Sequence, residues 1–233
     1  EGLQAGAVFT DPPYNVKVEN NVSGLGKAKH EDFVQASGEM SAEEFADFLK
    51  TAHEHMADHV REGGVIFSCM DWRSIAALVT AGQDAGLELI NIAVWDKGVG
   101  GMGALYRSQH ELVAVFRKPG QPHRNNVALG KHGRNRTNVW AYPGLNTGSK
   151  DRDALLALHP TVKPKALVAD AIKDVTKHGD TVLDPFGGSG TTMIAAHETG
   201  RRAVLIERDP KYVDVTIGRM EQACGLIARN DQT

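Results

Sequence analysis

Cysteine is scarce in this sequence: Cys69 and Cys224 are the only two in 233 residues. They stand far apart in unrelated surroundings. Neither a disulfide framework nor a Cys-based metal site is indicated, and a reducing, cytoplasmic setting is expected. No apolar run approaches the roughly 18 residues needed to cross a bilayer. There is no internal repeat and no low-complexity tract. Neither sign of charge dominates, since the formal net charge is −3. That balance argues against wholesale coating by nucleic acid but leaves room for a local basic patch. One exists between Leu112 and Lys150, where Arg117, Lys118, Arg124, Lys131, Arg134, Arg136 and Lys150 occur with no Asp or Glu. Hydrophobic content of 41% and charged content of 24% are ordinary for a globular chain. Residue 1 is Glu rather than Met and leads almost at once into a strand pattern. The sequence is therefore expected to be an excerpt of a longer product.

Strand-like and helix-like stretches alternate. Ala7-Val8-Phe9 reads as a buried strand. Ser41 to Glu44 is a capping box opening a helix with Phe45, Phe48 and Leu49 on one face, and Gly63-Gly64 is expected to end it. Val65 to Phe67 follows as a strand, then a helix from a cap at Asp71 to about Ala85. Leu89–Trp95 and Glu111–Phe116 read as an antiparallel pair. Residues 117–158 show little periodicity and are expected to be a functional excursion. Pro164 to about His178 reads as a helix, followed by strand Thr181–Leu183, a glycine turn and helix Thr191–Glu198. Strand Ala203–Ile206 and a last helix opened by Asp209-Pro210 complete the pattern. Such β-α repetition predicts one α/β domain over residues 1–233, with a mostly parallel sheet and helices on both faces.

Two stretches carry chemistry. "TDPPYN" at 10–15 ends a strand in two adjacent prolines, which fix two φ angles and present Asp11 beside Tyr14. "VLDPFGGSGTT" at 182–192 is a strand, a glycine turn and a helix start, with Asp184 at the strand end. Glycines there admit a ligand to the backbone, and a helix N-terminus faces it. The spacing is not G-x-G-x-x-G and the P-loop lysine is lacking, so a dehydrogenase or a triphosphatase is disfavoured. Glu207 ends the next strand, a position suited to a ribose diol.

Together these stretches resemble the amino-methyltransferases of DNA. In that family (D/N/S)-P-P-(Y/F/W) is catalytic and F-x-G-x-G binds S-adenosylmethionine. They correspond to Asp11-Pro12-Pro13-Tyr14 and to Phe186-Gly187-Gly188-Ser189-Gly190. The catalytic motif precedes the cofactor motif, as in the permuted β group. "WDK" at 95–97, "RSQHEL" at 107–112 and "HPTVKP" at 159–164 resemble further family segments in the same order. "SGEMS", "CMDWR", "GGMG" and "GRNRTNVW" are similar to the methyltransferase half of bacterial and phage chains that begin with a ParB-like domain.

The resemblance implies a circularly permuted, Rossmann-like S-adenosylmethionine-dependent methyltransferase fold with one antiparallel hairpin strand. An upstream strand carrying a Gly-Asp motif, and a ParB-like domain, are expected to lie before Glu1. Catalytic roles are implied for Asp11, Pro12, Pro13 and Tyr14. Cofactor contacts are implied for Asp184, Pro185, Phe186, Gly188, Gly190, Thr191, Thr192 and Glu207, with His159, Thr161 and Lys163 closing the methionine end. Lys131, Arg134 and Arg136 are candidate DNA contacts within the 117–158 excursion, and residues 16–40 a clamp over a flipped base. DNA is the expected partner and a homodimer a further option; no metal or membrane is expected. Asp in the first motif position favours adenine N6 as acceptor. Cytosine N4, RNA or protein amide methylation, and a non-catalytic DNA-binding module are the alternatives. The expected setting is a bacterial nucleoid or a phage-infected cell, as an orphan or restriction-modification methylase.

Two constellations are bland. His53, His55 and His59 with Asp58 do not gather on one helix face, so a metal site there is disfavoured. "GVGGMG" at 98–103 looks like a phosphate loop, but no capped helix follows it. Cys69 reads as a buried strand-end thiol.

Overall fold

A computed structural model describes residues 2, 4–16, 38–101, 105–131, 135–144, 162–225 and 227–231. Among these residues seven strands form one sheet: β1 (Ala5–Thr10), β2 (Val60–Met70), β3 (Glu88–Asp96), β4 (His110–Arg117), β5 (Val139–Ala141), β6 (Thr181–Asp184) and β7 (Arg202–Leu205). Among the described residues five helices accompany them: α1 (Ala42–His59), α2 (Ile75–Asp84), α3 (Lys165–Val175), α4 (Thr191–Glu198) and α5 (Pro210–Cys224). The strand order is β5-β3-β4-β2-β1-β6-β7. β4 runs antiparallel to both its neighbours, while the other pairings are parallel.

The strands read as apolar runs because both faces of the sheet are covered. Alternation sends Phe9, Phe67 and Val115 to one face, where Leu167, Ala171 and Ile172 of α3 and Ala195 of α4 close the core. Val8, Ile66 and Phe116 face the other way, against Phe45, Leu49 and Met56 of α1 and Leu78 of α2. The capping box at Ser41 forms as expected: Ser41 Oγ accepts from the Glu44 amide and Glu44 Oε2 from the Ser41 amide.

Several boundaries differ from expectation. α1 ends at His59 rather than at Gly63-Gly64, and the chain passes directly into β2. Lys118 Nζ takes the helix-end carbonyls of Ala57 and Val60. The two glycines lie inside β2, where the register against β1 jumps from Ala5–Val60 to Ala7–Val65. Gly63 adopts φ +70°, and a Cβ there would stand 2.5 Å from the Pro122 carbonyl oxygen. They serve a bulge. α2 begins at Ile75, because Asp71 Oδ1 accepts from the amides of Arg73 and Ser74 in a preceding turn. α3 stops at Val175, where Asn126 Nδ2 donates to the carbonyls of Lys173 and Thr176. β5 lies inside the aperiodic stretch 117–158; three residues are too few to show a period, yet Trp140 joins the core.

The chain leaves β1 toward β2 on one side and leaves β6 toward β7 on the other. β1 and β6 pair in parallel, through Ala7–Val182 and Val8–Leu183, so their carboxyl ends open one crevice at this switch point.

Gly82 of α2 presses on the ring of Phe116, and a Cβ there would meet it at 2.5 Å. Alanine would gain about 1 kcal/mol of helix propensity. Overpacking a fully buried ring costs about 1–3 kcal/mol. Gly82→Ala is therefore expected to lower stability by about 1 kcal/mol in urea unfolding, against the helix trend; a stabilised variant would show that the ring moves freely.

Candidate active site

The crevice holds a cavity of about 330 Å³. Its walls include Asp11, Pro12, Pro13 and Tyr14 from the turn after β1, and Asp184 to Ser189 from the turn after β6. Thr191, Thr192, Lys163 and Glu207 line it as well. The two motifs thus share one volume. Phe48 of α1 and Tyr212 of α5 complete the walls, with the Phe48 and Phe186 ring centroids 5.8 Å apart.

Asn15, at φ +54°, finishes the proline turn and anchors the chain returning to α1. Its Oδ1 accepts from the amides of Gly38 and Met40, and its Nδ2 donates to the Met40 carbonyl. Of the expected clamp, residues 17–37 lie outside the described residues.

Asp184 joins the two turns. Its Oδ1 accepts from Thr10 Oγ1 at 2.9 Å and from the Phe186 amide at 3.1 Å; its Oδ2 accepts from Thr192 Oγ1 at 2.7 Å. The carboxylate therefore faces the scaffold: the strand before the DPPY turn and the helix after the glycine turn. Gly190, at φ +78°, is the N-cap of α4, and a Cβ there would lie 2.6 Å from the Thr216 side chain. Glu207 Oε2 accepts from the Gly188 amide at 2.7 Å and Oε1 from the Asp209 amide at 2.8 Å. Each oxygen keeps a second lone pair for a ligand.

A chain of charge runs behind the DPPY turn. Tyr14 Oη donates to Asp11 Oδ1 at 2.7 Å. Lys163 Nζ binds Asp11 Oδ2 and lies 3.1 Å from Glu111 Oε2. Lys97 Nζ holds Glu111 Oε1 at 2.6 Å. Trp95 lies under both ammonium groups, at 4.8 Å from Lys97 and 5.7 Å from Lys163.

Burial raises Asp11 above the usual carboxylate range; Lys163 opposes this and the Glu111 charge adds to it. Burial would also raise Glu111, but Lys163 and Lys97 override it and hold Glu111 at about 2. Burial works against the Lys163 ammonium, yet Asp11 and Glu111 keep it protonated with a raised pKa. Burial, then the neighbouring Asp11 and Glu111 charges, keep the Tyr14 phenol neutral.

Not every expected residue meets the cavity. Lys163 lines it and also lies on Asp11 of the DPPY turn, whereas His159 and Thr161 fall outside the described residues, as does Arg134. Lys131 is exposed. Arg136 is turned inward: its Nε lies 2.7 Å from Asp174, its Nη1 donates to Tyr142 Oη at 3.2 Å, and it stacks over Trp140. Glu111 and Lys97 stand in quoted motifs, but their convergence on Asp11 had no sequence signal beyond charges at strand ends. Cys69 is buried near the end of β2, as expected. Among the described residues no group of His, Cys, Asp and Glu is arranged to hold a metal, and no helix is long and apolar enough to cross a membrane.

A family model described as DNA methylase matches residues 6–218. Among curated proteins, the type II methyltransferase M.ScaI of Streptomyces caespitosus is 35% identical over 103 residues, covering 44% of this chain and 34% of that protein. The type II methyltransferase M2.DpnII of Streptococcus pneumoniae is 28% identical over 227 residues, covering 92% of this chain and 81% of that protein. Among solved structures, the M1.HpyAVI–SAM complex superposes with a TM-score of 0.63 at 20% identity, over 96% of this chain and 90% of that one.

Burial lifts Asp184 from 3.8 to about 6, outweighing its hydrogen bonds from Thr192, Phe186 and Thr10. A raised folded value means that the proton is held more tightly in the folded state. Stability from this group is full below about 3.8 and is lost as pH rises through about 6, a swing of about 3 kcal/mol. Asp184→Asn removes that titration. Its stability relative to wild type is expected to rise by about 2–3 kcal/mol between pH 4 and pH 7 in urea unfolding. A constant difference across that range would place Asp184 at an ordinary carboxylate value.

Proposed function

The chain belongs to the N6/N4 family of DNA methylases, whose model spans residues 6–218, and from that premise we propose that it moves a methyl group from S-adenosylmethionine to the exocyclic N6 of an adenine flipped out of DNA. The observation that carries this reading is the single cavity lined by both the DPPY turn and the glycine turn.

The residues present suit the cofactor. About 330 Å³ lies within the range of pockets for small ligands. The N-terminus of α4 offers backbone N–H groups to a carboxylate. Glu207 has lone pairs left for ribose hydroxyls, and Phe186 and Ile206 offer apolar walls for an adenine ring. When bound, this cofactor supplies an electrophilic methyl group on sulfur.

The acceptor amine needs its lone pair freed from the base's π-system. Asp11 accepting one N–H and the Pro12 carbonyl accepting the other would achieve that. The prolines hold both acceptors stiffly, which lowers the ordering cost of the reacting geometry. The amine lone pair would take the methyl group from the cofactor held by the N-terminus of α4 and Glu207, the S–C pair staying on sulfur. The surplus proton on nitrogen leaves along the Asp11 hydrogen bond. No covalent enzyme intermediate is needed.

A paired base must leave the duplex, at a cost of a few kcal/mol. Stacking on the Tyr14 ring returns roughly 1–3 kcal/mol. The hydroxyl bond to Asp11 keeps that ring beside the acceptor. Asp in the first motif position supports adenine over cytosine. Lys131 is exposed, as is Arg124, and serves as a phosphate contact in this reading, whereas Arg136 is engaged by Asp174.

Transfer of tritiated methyl to mixed-sequence duplex DNA, followed by nucleoside digestion, tests this. Label is expected in N6-methyladenine and should fall at least about 100-fold in Asp11→Ala. Label in N4-methylcytosine would reassign the base, and none would leave a DNA-binding module. Asp11 must be ionised to accept the amine, and its pKa is raised. Activity is therefore expected to fall on acidification at a pH above the ordinary carboxylate range; a flat profile down to pH 4 would count against the acceptor role. DNA binding should weaken steeply with added salt if phosphates dominate, and lose about one unit of log–log slope in Lys131→Ala.

A further inference from the structure

Glu111, with Lys97 and Lys163, is a charged group of the site without a part in methyl transfer so far. It is largely buried at the start of β4, opposite Trp95 of β3. Each of its oxygens meets a different ammonium: Lys97 at 2.6 Å and Lys163 at 3.1 Å. Lys163 is shared, because it also binds Asp11. The groups facing this cluster come from five places. They are Asp11 and Tyr14 after β1, Cys69 of β2, Lys97 after β3, Lys163 before α3 and Asp184 of β6.

We propose that Glu111 is a positioning residue for methyl transfer: it balances Lys97 and Lys163, so that the cluster beside Asp11 does not oppose the positive charge that grows on the acceptor amine. This rests on the reading of Asp11 as the amine's acceptor.

The charge count carries the inference. Lys97, Glu111, Lys163 and Asp11 alternate in sign and together are neutral. Without Glu111 two ammonium groups would face one carboxylate, leaving a net positive charge where the amine nitrogen becomes cationic. In a buried site such a charge is poorly screened. Geometry adds a second effect. With Asp11 as its only carboxylate partner, beside the Tyr14 hydroxyl at 3.4 Å, Lys163 would pair fully with that carboxylate and compete with the amine N–H for Oδ2. Glu111 gives that ammonium another acceptor 3.1 Å away. Glu111 is well suited to the task because its two lysines keep it ionised throughout the working range.

The test compares wild type, Asp11→Ala, Glu111→Gln and the double variant Glu111→Gln/Lys97→Met in the tritium transfer assay. Glu111→Gln is expected to lower kcat by about 100-fold, with the KM for S-adenosylmethionine within about threefold of wild type. An unchanged KM marks a folded cofactor site. Removing Lys97 as well restores neutrality, so the double variant should recover at least about tenfold over Glu111→Gln. The acid limb of the Glu111→Gln profile should also move to lower pH, since Asp11 loses a repelling neighbour. A Glu111→Gln enzyme at the wild-type rate overturns the proposal, as does a double variant no better than the single one, which would make Glu111 a packing residue. If wild type transfers no methyl group, the reading of the site fails and the proposal falls with it. If wild type is active and only Asp11→Ala is dead, the reading stands and the proposal alone falls.

Discussion

One buried carboxylate holds the working parts of this molecule together. Asp184 binds Thr10 at the end of β1 and Thr192 in the first turn of α4, and also closes its own turn through the Phe186 amide. The DPPY turn and the glycine turn come from opposite ends of the chain. Their relative position is set where β1 and β6 pair, and Asp184 fixes it at the crevice mouth. Burying a charge is costly unless hydrogen bonds satisfy it. Here three donors do so, yet burial still lifts the group's pKa to about 6. The fold tolerates this cost at the point where two motifs must share one cavity.

The antiparallel strand explains the second half of the site. In a parallel sheet the carboxyl ends of the strands face the ligand. β4 runs the other way, so its beginning lies at that same end of the sheet. Glu111 therefore stands beside Lys97, which follows the end of β3, and both reach toward the DPPY turn. A strand inserted parallel would have carried Glu111 to the far edge. The reversed strand brings an acid into a region that holds two lysines, and the alternation of charge follows.

Much of the fold was legible in the residues. The capping box at Ser41, the Asp209-Pro210 helix start and the apolar runs of β1, β2, β4 and β6 were read from local chemistry, because capping and burial act within a few residues. The mostly parallel sheet followed from the β-α order. The errors share a cause. Gly63-Gly64 suits a helix end and a strand bulge equally, and only the register against β1 decides between them. β5 has three residues and no period. Arg136 reads as a free cation until Asp174 arrives from elsewhere in the chain.

By itself the sequence determined the alternation of strands and helices, the pairing of an acid with an aromatic on a stiff turn, and the glycine turn before a helix. Each of these depends on neighbours a few residues apart, where backbone geometry and side-chain type suffice. Tertiary structure alone decided which way the carboxylates face. Asp184, at a strand end by a glycine turn, lines the cavity; its partners Thr10 and Thr192 also make it a brace. Glu111 looked like one polar residue at the start of a strand; Lys97 and Lys163 make it part of the site. A charge takes its role from the charges it meets in a buried volume, and those meetings join residues that sequence distance keeps apart.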